Sequence, residues 1–193
     1  MIFVIDTSSA MSAVALLDPT GRVVYEDVAD SGPSFDLPSR YRALEDGPAL
    51  TRVAVATGPG SFTGLRVGVS FALGLAIGLR IPIVPLPTLA LQAARSDTPV
   101  LAMSEAGRGR VYHLAPGGVA GLAEPGELPR EWRAVGWLRA STRAAVEGTG
   151  VPFKPEQELR GFGEAAASLV ESAREVAYGS LKVEYMQSFS ARH

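Results

Sequence analysis

The sequence contains no cysteine and only two histidines, His113 and His193. The absence of cysteine excludes disulfide bonds, thiolate nucleophiles and zinc sites built from thiolates. The two histidines are far apart along the chain and cannot form a histidine pair at helical spacing. We therefore expect no resident metal and no catalytic residue of this chain's own.

Lysine is almost absent, because it occurs only at Lys154 and Lys182, and the remaining basic residues are arginines scattered along the chain. The formal net charge is −2 at pH 7. This charge provides no long-range attraction for nucleic acid. Any contact with RNA would need a local patch or a second subunit to neutralise phosphates.

Long apolar runs are also missing. The longest run, residues 67–79, lies between Arg66 and Arg80 and is too short by itself to cross a bilayer. Residues 1–6 lack the basic segment and cleavage site of a secretion signal. With 47% apolar and 20% charged residues, the composition is that of an ordinary globular protein. We expect a cytoplasmic protein that does not enter the membrane.

Apolar, β-branched runs predict five strands in the first half of the chain, at residues 2–6, 12–17, 22–27, 52–57 and 81–86. The first three are separated by short turns, which predicts an antiparallel meander. Pro82 and Pro85 predict that the last strand lies at an edge of its sheet or is irregular.

The same pattern predicts helices at residues 33–46, 61–79, 88–95 and 162–175, and further strands at 100–104 and 110–114. We expect Pro38 to interrupt the first helix and Thr88 to cap the third. Each half of the chain begins with a buried strand that ends near an acid, Asp6 or Glu105, as a weak duplication of one α/β unit would.

The most informative segment is residues 56–68, Ala-Thr-Gly-Pro-Gly-Ser-Phe-Thr-Gly-Leu-Arg-Val-Gly, in which a strand leads through glycines into a helix that Ser61 can cap. The free N–H groups at such a helix start suit an anion. The candidate nucleotide-binding residues are Asp6, Thr7, Ser8, Gly58 and Gly60. The segment lacks the lysine of a P-loop, and Asp6 could instead cap its own turn through the N–H groups of residues 8 and 9.

The helix predicted at 61–79 is apolar around its whole circumference and carries rows of small residues four apart, Gly64, Gly68 and Ala72 in one and Gly74 and Gly78 in another. Each interior glycine costs a helix about 1 kcal/mol relative to alanine. A helix that is apolar all round must be covered on every side. Two alternatives remain open: a second lobe of the same chain covers it, or another protein does.

Four segments of the sequence resemble the TsaB (YeaZ) family, which takes part in the modification of bacterial tRNA to N6-threonylcarbamoyladenosine. They are Ile5-Asp-Thr-Ser8, Gly58-Pro-Gly-Ser-Phe-Thr-Gly-Leu-Arg-Val-Gly68, Thr88-Leu89 and Glu105-Ala-Gly-Arg-Gly-Arg-Val-Tyr112. The chain departs from the family in three places. The first helix has no histidine, Glu105 and Gly107 stand where the family has aspartate and arginine, and residues 183–187 lack the expected proline and arginine.

The resemblance implies an actin-like ATPase fold (ribonuclease H-like, of the sugar kinase and Hsp70 class) with lobes at 1–96 and 97–193, the second of them short. It implies a non-catalytic subunit that scaffolds a TsaD-type catalytic paralogue, alongside a TsaE-type ATPase, with tRNA bound only indirectly. It also implies self-association as a homodimer, and ATP or ADP held at the partner interface. The expected partner interface includes residues 35–46 and Ser61, Phe62, Gly64, Leu65, Arg66, Gly68, Val69 and Ala72.

A second class of function fits the same fold: a stand-alone ATP-dependent phosphotransferase or peptidase. The residue types disfavour it, because neither a nucleophile–base–orienter set nor a metal pair can be assembled without cysteine and with two distant histidines. A kinase that uses only the carboxylates of Asp6 and Glu105 remains open.

Overall fold

The computed structural model describes residues 1–44 and 49–185, and its strands form two sheets. The first sheet contains β1 (Ile2–Asp6), β2 (Met11–Leu17), β3 (Val23–Asp30), β4 (Arg52–Ala56) and β5 (Ile83–Leu86), in the order β3-β2-β1-β4-β5. The first three strands pair antiparallel, whereas β4 and β5 join parallel to β1. The predicted meander and the edge position of β5 are both confirmed.

In the described part of the chain, five α-helices accompany the sheets: α1 (Leu37–Arg42), α2 (Phe62–Leu79), α3 (Thr88–Ala94), α4 (Ala140–Gly148) and α5 (Phe162–Val170). Short 3₁₀ turns occupy Pro125–Glu127, Glu156–Glu158 and Tyr178–Ser180. Pro38 lies in the first turn of α1, after the cap residue Asp36, so it starts this helix rather than interrupting it. Residues 45 and 46 of the predicted first helix lie outside the described residues.

The first sheet is covered on both faces. Because successive side chains of β1 point to opposite faces, this strand contributes residues to both cores. Phe3 and Ile5 belong to the core that contains Val69 and Ala72 of α2. Val4 belongs to the opposite core, which contains residues of α5. This position of α2 on the sheet decides which of its sides remains open.

The second sheet contains β6 (Leu101–Gly107), β7 (Arg110–Leu114), β8 (Gly121–Ala123) and β9 (Ala134–Trp137), in the order β8-β7-β6-β9. Strand β9 pairs parallel to β6, and the other pairs are antiparallel. Strand β6 continues beyond the predicted residues 100–104, so Glu105 lies within a strand and not in the loop that follows it.

The predicted division into lobes needs a correction at its carboxyl-terminal end. Helix α5 ends at Val170, earlier than predicted, and packs through Phe162 and Ala166 into the core of the first sheet. Beyond it, Val176 pairs with Ile83 of β5. Residues 162–176 were predicted to belong to the second lobe. This prediction failed because the local sequence pattern does not indicate which of the two sheets a segment near the carboxyl terminus packs against.

Helix α2 is longer than the apolar run within it. Among the described residues, it is the one helix whose length of 18 residues and mean hydropathy of 1.6 would allow it to cross a membrane. The argument from the length of the run 67–79 is therefore wrong. Length and composition alone are weak evidence for a membrane span, since helices on the sheet of a globular fold pass the same test, and α2 packs against β1 and β4.

Candidate functional site

The side of α2 that faces the sheet carries most of the residues predicted to contact a partner. Leu65, Gly68, Val69 and Ala72 are buried within the chain. A Cβ atom at Gly64 would lie 1.9 Å from the carbonyl oxygen of Thr7, and one at Gly68 would lie 2.4 Å from the Thr7 hydroxyl oxygen. The row Gly64–Gly68–Ala72 therefore lets α2 approach its own chain, and this row does not form a partner surface.

The opposite side of α2, which we call the docking face, is open. Phe62, Val67 and Ile77 on this side are between 38% and 53% exposed. Thr63, Arg66, Ser70, Gly74 and Gly78 are also exposed, and a Cβ atom at Gly74 or Gly78 would meet nothing within 4 Å. No part of the second sheet covers this face in the described residues. Within residues 1–44 and 49–185, the chain's own second lobe therefore leaves most of this face open, and it contacts α2 at Phe62, through Tyr185, and at Ala76, through Tyr178.

A groove with a volume of about 840 Å³ lies between α1 and α2, and we call it the α1–α2 groove. One wall contains Pro33, Phe35 and Leu37, and the other contains Val67, Ser70 and Phe71. Hydroxyl groups line its floor: the Ser12 and Ser31 oxygens are 2.7 Å apart, and the Ser31 hydroxyl donates to the Ser9 carbonyl oxygen at 2.7 Å. The groove thus offers apolar walls, a polar floor and an opening beside the docking face.

A smaller cavity of about 170 Å³ adjoins the groove at the start of α2 and shares Ser61, Glu105 and Arg139 with it. The ring centroids of Phe62 and Tyr185 are 5.2 Å apart at its edge. The guanidinium carbon of Arg66 lies 3.7 Å from the centroid of the Phe62 ring. Arg66 thus forms a cation–π contact within its own chain and remains exposed. Ser61 caps α2 as predicted, since its hydroxyl accepts from the Gly64 N–H at 3.3 Å.

Asp6 is fully buried at the end of β1. Its Oδ1 atom accepts from the Ser8 N–H at 2.8 Å and from the Ser8 hydroxyl at 2.6 Å. The predicted turn cap is thus confirmed for the N–H of Ser8, and the second donor is the hydroxyl of Ser8, not the N–H of Ser9. Burial raises the pKa of the Asp6 carboxyl, and the two bonds from Ser8 offset this only in part.

The other candidate nucleotide-binding residues are engaged with one another. The Thr7 hydroxyl donates to the Gly64 carbonyl oxygen at 2.7 Å. Thr88, predicted to cap α3, is instead the first residue of that helix; its hydroxyl donates to the Ser8 hydroxyl at 3.0 Å and accepts from the Gly58 N–H at 3.1 Å. A Cβ atom at Gly60 would lie 2.3 Å from the Ser8 carbonyl oxygen.

The structure thus brings Asp6, Thr7, Ser8, Gly58 and Gly60 together, but as a closed network that joins the ends of β1, β4 and β5. Their hydroxyl groups and the Gly58 N–H already have partners, so this arrangement does not present them to a phosphate. Whether a nucleotide binds where a partner protein meets this chain stays a prediction.

Glu105, the second carboxylate considered for catalysis, is 5% exposed and caps α4. Its two oxygens accept from the Arg139 N–H and the Thr142 hydroxyl, both at 3.0 Å. These positions disfavour a kinase that uses only Asp6 and Glu105, because one carboxylate is buried in the core and both oxygens of the other accept hydrogen bonds; this alternative stays a prediction.

Sequence reasoning missed the role of Ser9. Its hydroxyl donates to the Trp137 carbonyl oxygen at 2.5 Å and accepts from the Glu105 N–H at 3.3 Å. This single side chain joins the turn after β1 to both β6 and β9, at the place where the two sheets meet. No signal in the sequence could have found it, because its partners are remote along the chain.

Comparison with known proteins shows what this chain resembles. Residues 46–124 match the family model described as "TsaD: tRNA N6-adenosine threonylcarbamoyltransferase". The chain is 36% identical over 121 residues to the tRNA threonylcarbamoyladenosine biosynthesis protein TsaB of Escherichia coli, and 37% identical over 120 residues to that of Bacillus subtilis. Each match covers 58% of this chain and 52% of the relative. The matched region thus spans about half the length of these curated relatives.

A shorter match, 50% identical over 54 residues, covers 28% of this chain and 14% of the tRNA N6-adenosine threonylcarbamoyltransferase of Nitratidesulfovibrio vulgaris. Among solved structures, YeaZ from Pseudomonas aeruginosa superposes with a TM-score of 0.72 over 96% of this chain and 99% of that one, at 23% sequence identity.

The two sheets, the order of their strands and this superposition define an α/β protein with an actin-like, ribonuclease H-like fold. Within that class, the resemblance to the TsaB (YeaZ) family is confirmed.

Proposed function

We propose that this chain is a non-catalytic subunit of the machinery that makes N6-threonylcarbamoyladenosine in tRNA, and that it scaffolds a TsaD-type catalytic paralogue. The observation that carries the proposal is the open docking face of α2. The names of the relatives supply the process. The matches to TsaD sequences support a partner with the same fold as this chain.

The docking face has the physical character of a helix-packing surface. Burial of an exposed Val, Leu, Ile or Phe side chain contributes about 1.5–3 kcal/mol. Phe62, Val67 and Ile77 are already roughly half covered, so a partner that buries the three would gain about 2–5 kcal/mol from them. Gly74 and Gly78 add a notch where a second helix backbone can come close.

A paralogue of the same fold would present an equivalent helix, so the two chains would pair about an approximate two-fold axis. The same face would support a homodimer when the partner is absent, because a self-complementary surface serves both. Homodimer and heterodimer would then compete for one face.

The chemistry in this proposal belongs to the partner. Asp6 and Glu105 are held in structural roles, and the hydroxyl groups of Thr7 and Ser8 are bonded within the chain. The family resemblance extends the proposal to a TsaE-type ATPase, to ATP or ADP at the partner interface, to a cytoplasmic location and to tRNA bound only through the assembly.

The test is a pair of valine substitutions with equal exposure, Val67→Arg on the docking face and Val24→Arg on the edge strand β3, which are 51% and 50% exposed in the wild type. Each variant is mixed with the TsaD-type protein and run through size exclusion and co-purification. We expect Val67→Arg to abolish the complex, because it places a charge in an apolar contact, and Val24→Arg to leave it intact. A complex of normal stability with Val67→Arg would refute the interface. Gly68 is unsuitable for this test, because it packs against Thr7.

A further inference from the structure

The two walls of the α1–α2 groove are supported very differently. The α2 wall is part of an 18-residue helix packed on the sheet. The other wall, residues 32–38, is mostly irregular, and only Phe35 and Leu37 in it are buried. Few backbone hydrogen bonds hold it; one runs from the Phe35 N–H to the Gly32 carbonyl oxygen at 3.0 Å. The width of the groove therefore depends on what braces this wall.

One side chain of α1, Arg40, contacts both the irregular wall of the groove and strand β3 of the first sheet. Its Nε atom donates to Oδ2 of Asp27 at 2.7 Å. A terminal nitrogen donates to the Ser34 carbonyl oxygen at 3.4 Å, and the guanidinium carbon lies 3.8 Å from the centroid of the Phe35 ring. Asp27 belongs to β3 and stands opposite Val14 of β2, so the anchor is part of the sheet.

We propose that Arg40 is a positioning residue for docking, which holds the Ser34–Phe35 wall against β3 so that the groove is open before the partner arrives. This inference rests on the proposed function and adds a determinant of affinity to it. Arg40 itself is not required to touch the partner.

The chemistry of the guanidinium explains why arginine suits this position. Its planar fork can donate along two directions while its face lies on an aromatic ring. A lysine could retain the attraction to Asp27 and to the Phe35 ring, but its single ammonium could not also reach Ser34 in the same geometry. The Arg40 and Asp27 side chains are 19% and 32% exposed, so the pair is partly shielded from water and salt.

The second lobe offers a control with the same chemistry at a more exposed arginine, since the Arg143 side chain is 45% exposed and that of Arg40 is 19% exposed. Arg143 makes the same two kinds of contact, with Nε 3.0 Å from Oε1 of Glu147 and the guanidinium carbon 4.1 Å from the centroid of the Phe153 ring. Its side chain lines neither the α1–α2 groove nor the adjoining cavity. Arg143→Gln therefore removes an ion pair and a cation–π contact without changing the groove.

The experiment measures the Kd for the TsaD-type partner by calorimetry, and the thermal midpoint, for the wild type and for Arg40→Gln, Asp27→Asn, the double variant, Arg40→Lys and Arg143→Gln. Ordering of one mobile segment on binding changes affinity by about three- to tenfold. We expect Arg40→Gln to weaken binding by about that factor while the thermal midpoint moves by less than about 2 °C. Asp27→Asn should weaken binding less, the double variant no more than Arg40→Gln, and Arg40→Lys should recover part of the loss.

The outcomes separate this inference from the proposed function. If the wild type does not bind the partner, the proposed function fails and takes the inference with it. If the wild type binds and Arg40→Gln binds equally well, only the inference fails. Strictly additive effects of Arg40→Gln and Asp27→Asn, a loss of affinity that follows a drop in the thermal midpoint, or an equal loss with Arg143→Gln would each overturn the positioning role.

Discussion

Two glycine-to-alanine substitutions in the same helix, Gly68→Ala and Gly74→Ala, should change stability in opposite directions. A methyl group at Gly68 would lie 2.4 Å from the Thr7 hydroxyl oxygen and 3.7 Å from the nearest atom of Ile5. A methyl group at Gly74 would meet nothing within 4 Å. The two positions therefore share a secondary structure and differ in what faces them.

The magnitudes follow from three contributions. Alanine in place of glycine stabilises a helix interior by about 1 kcal/mol at either position. At Gly68, overpacking costs about 1–3 kcal/mol, and displacement of the Thr7 hydroxyl from the Gly64 carbonyl oxygen costs about 1 kcal/mol more. The expected net result is a loss of about 1–3 kcal/mol for Gly68→Ala and a gain of about 1 kcal/mol for Gly74→Ala.

Urea denaturation and calorimetry can resolve a difference of this size, since 1 kcal/mol shifts the midpoint of a chain of this length by about 2–4 °C. Gly74→Ala should also weaken docking while it stabilises the free chain, because it fills the notch on the docking face. If Gly68→Ala stabilises the chain as much as Gly74→Ala does, the assignment of the Gly64–Gly68–Ala72 row to the chain's own core is refuted.

Two further substitutions test the polar groups around the start of α2. Ser61→Ala removes the helix cap and should lower the free energy of unfolding, measured by urea denaturation, by about 1 kcal/mol. Ser61→Asp should retain most of the wild-type free energy of unfolding, because aspartate also caps helices. Equal stability of all three proteins would contradict a capping role. Asp6→Asn tests the buried carboxyl. Because burial raises the pKa of Asp6, the folded state binds a proton more tightly than the unfolded state. The contribution of this proton to the free energy of unfolding is greatest at low pH and is lost as the pH rises through the folded pKa. Relative to Asp6→Asn, the wild type should therefore lose stability as the pH rises above about 4, the ordinary pKa of an aspartate, and a difference that does not change with pH would contradict this.

The strands of the first sheet and the starts of α2, α3 and α5 were predictable because their causes are local, whereas β8, β9 and α4 were not predicted. The meander of β1, β2 and β3 follows from apolar runs separated by turn residues, and the cap at Ser61 needs only the first turn of α2. The family resemblance rested on the same contiguous segments. By contrast, the predicted cap at Thr88 was wrong. The buried Thr88 hydroxyl forms hydrogen bonds with the Ser8 hydroxyl and the Gly58 N–H, and not with the N–H groups of its own helix.

The roles of the site residues were less predictable. Glu105 belongs to a strand and caps a helix that begins at Ala140, so the two groups it joins are distant along the chain. Ser9 shows the same limit. The brace from Arg40 to Asp27 and Phe35 also depends on how α1 lies against β3, which no periodicity encodes.

By itself, the sequence determined that this chain contains a long helix that follows a glycine-rich turn. Because this helix is apolar all round, the sequence also predicted that every side of it is covered by other residues or by another protein. Only the tertiary structure decided which side of that helix is buried against the chain's own sheet. The sheet side buries Gly68 against Thr7, and the side with Val67 and Gly74 stays open. The physical reason is that a helix with apolar residues on every side has no preferred direction of burial until a sheet assembled from remote strands provides one.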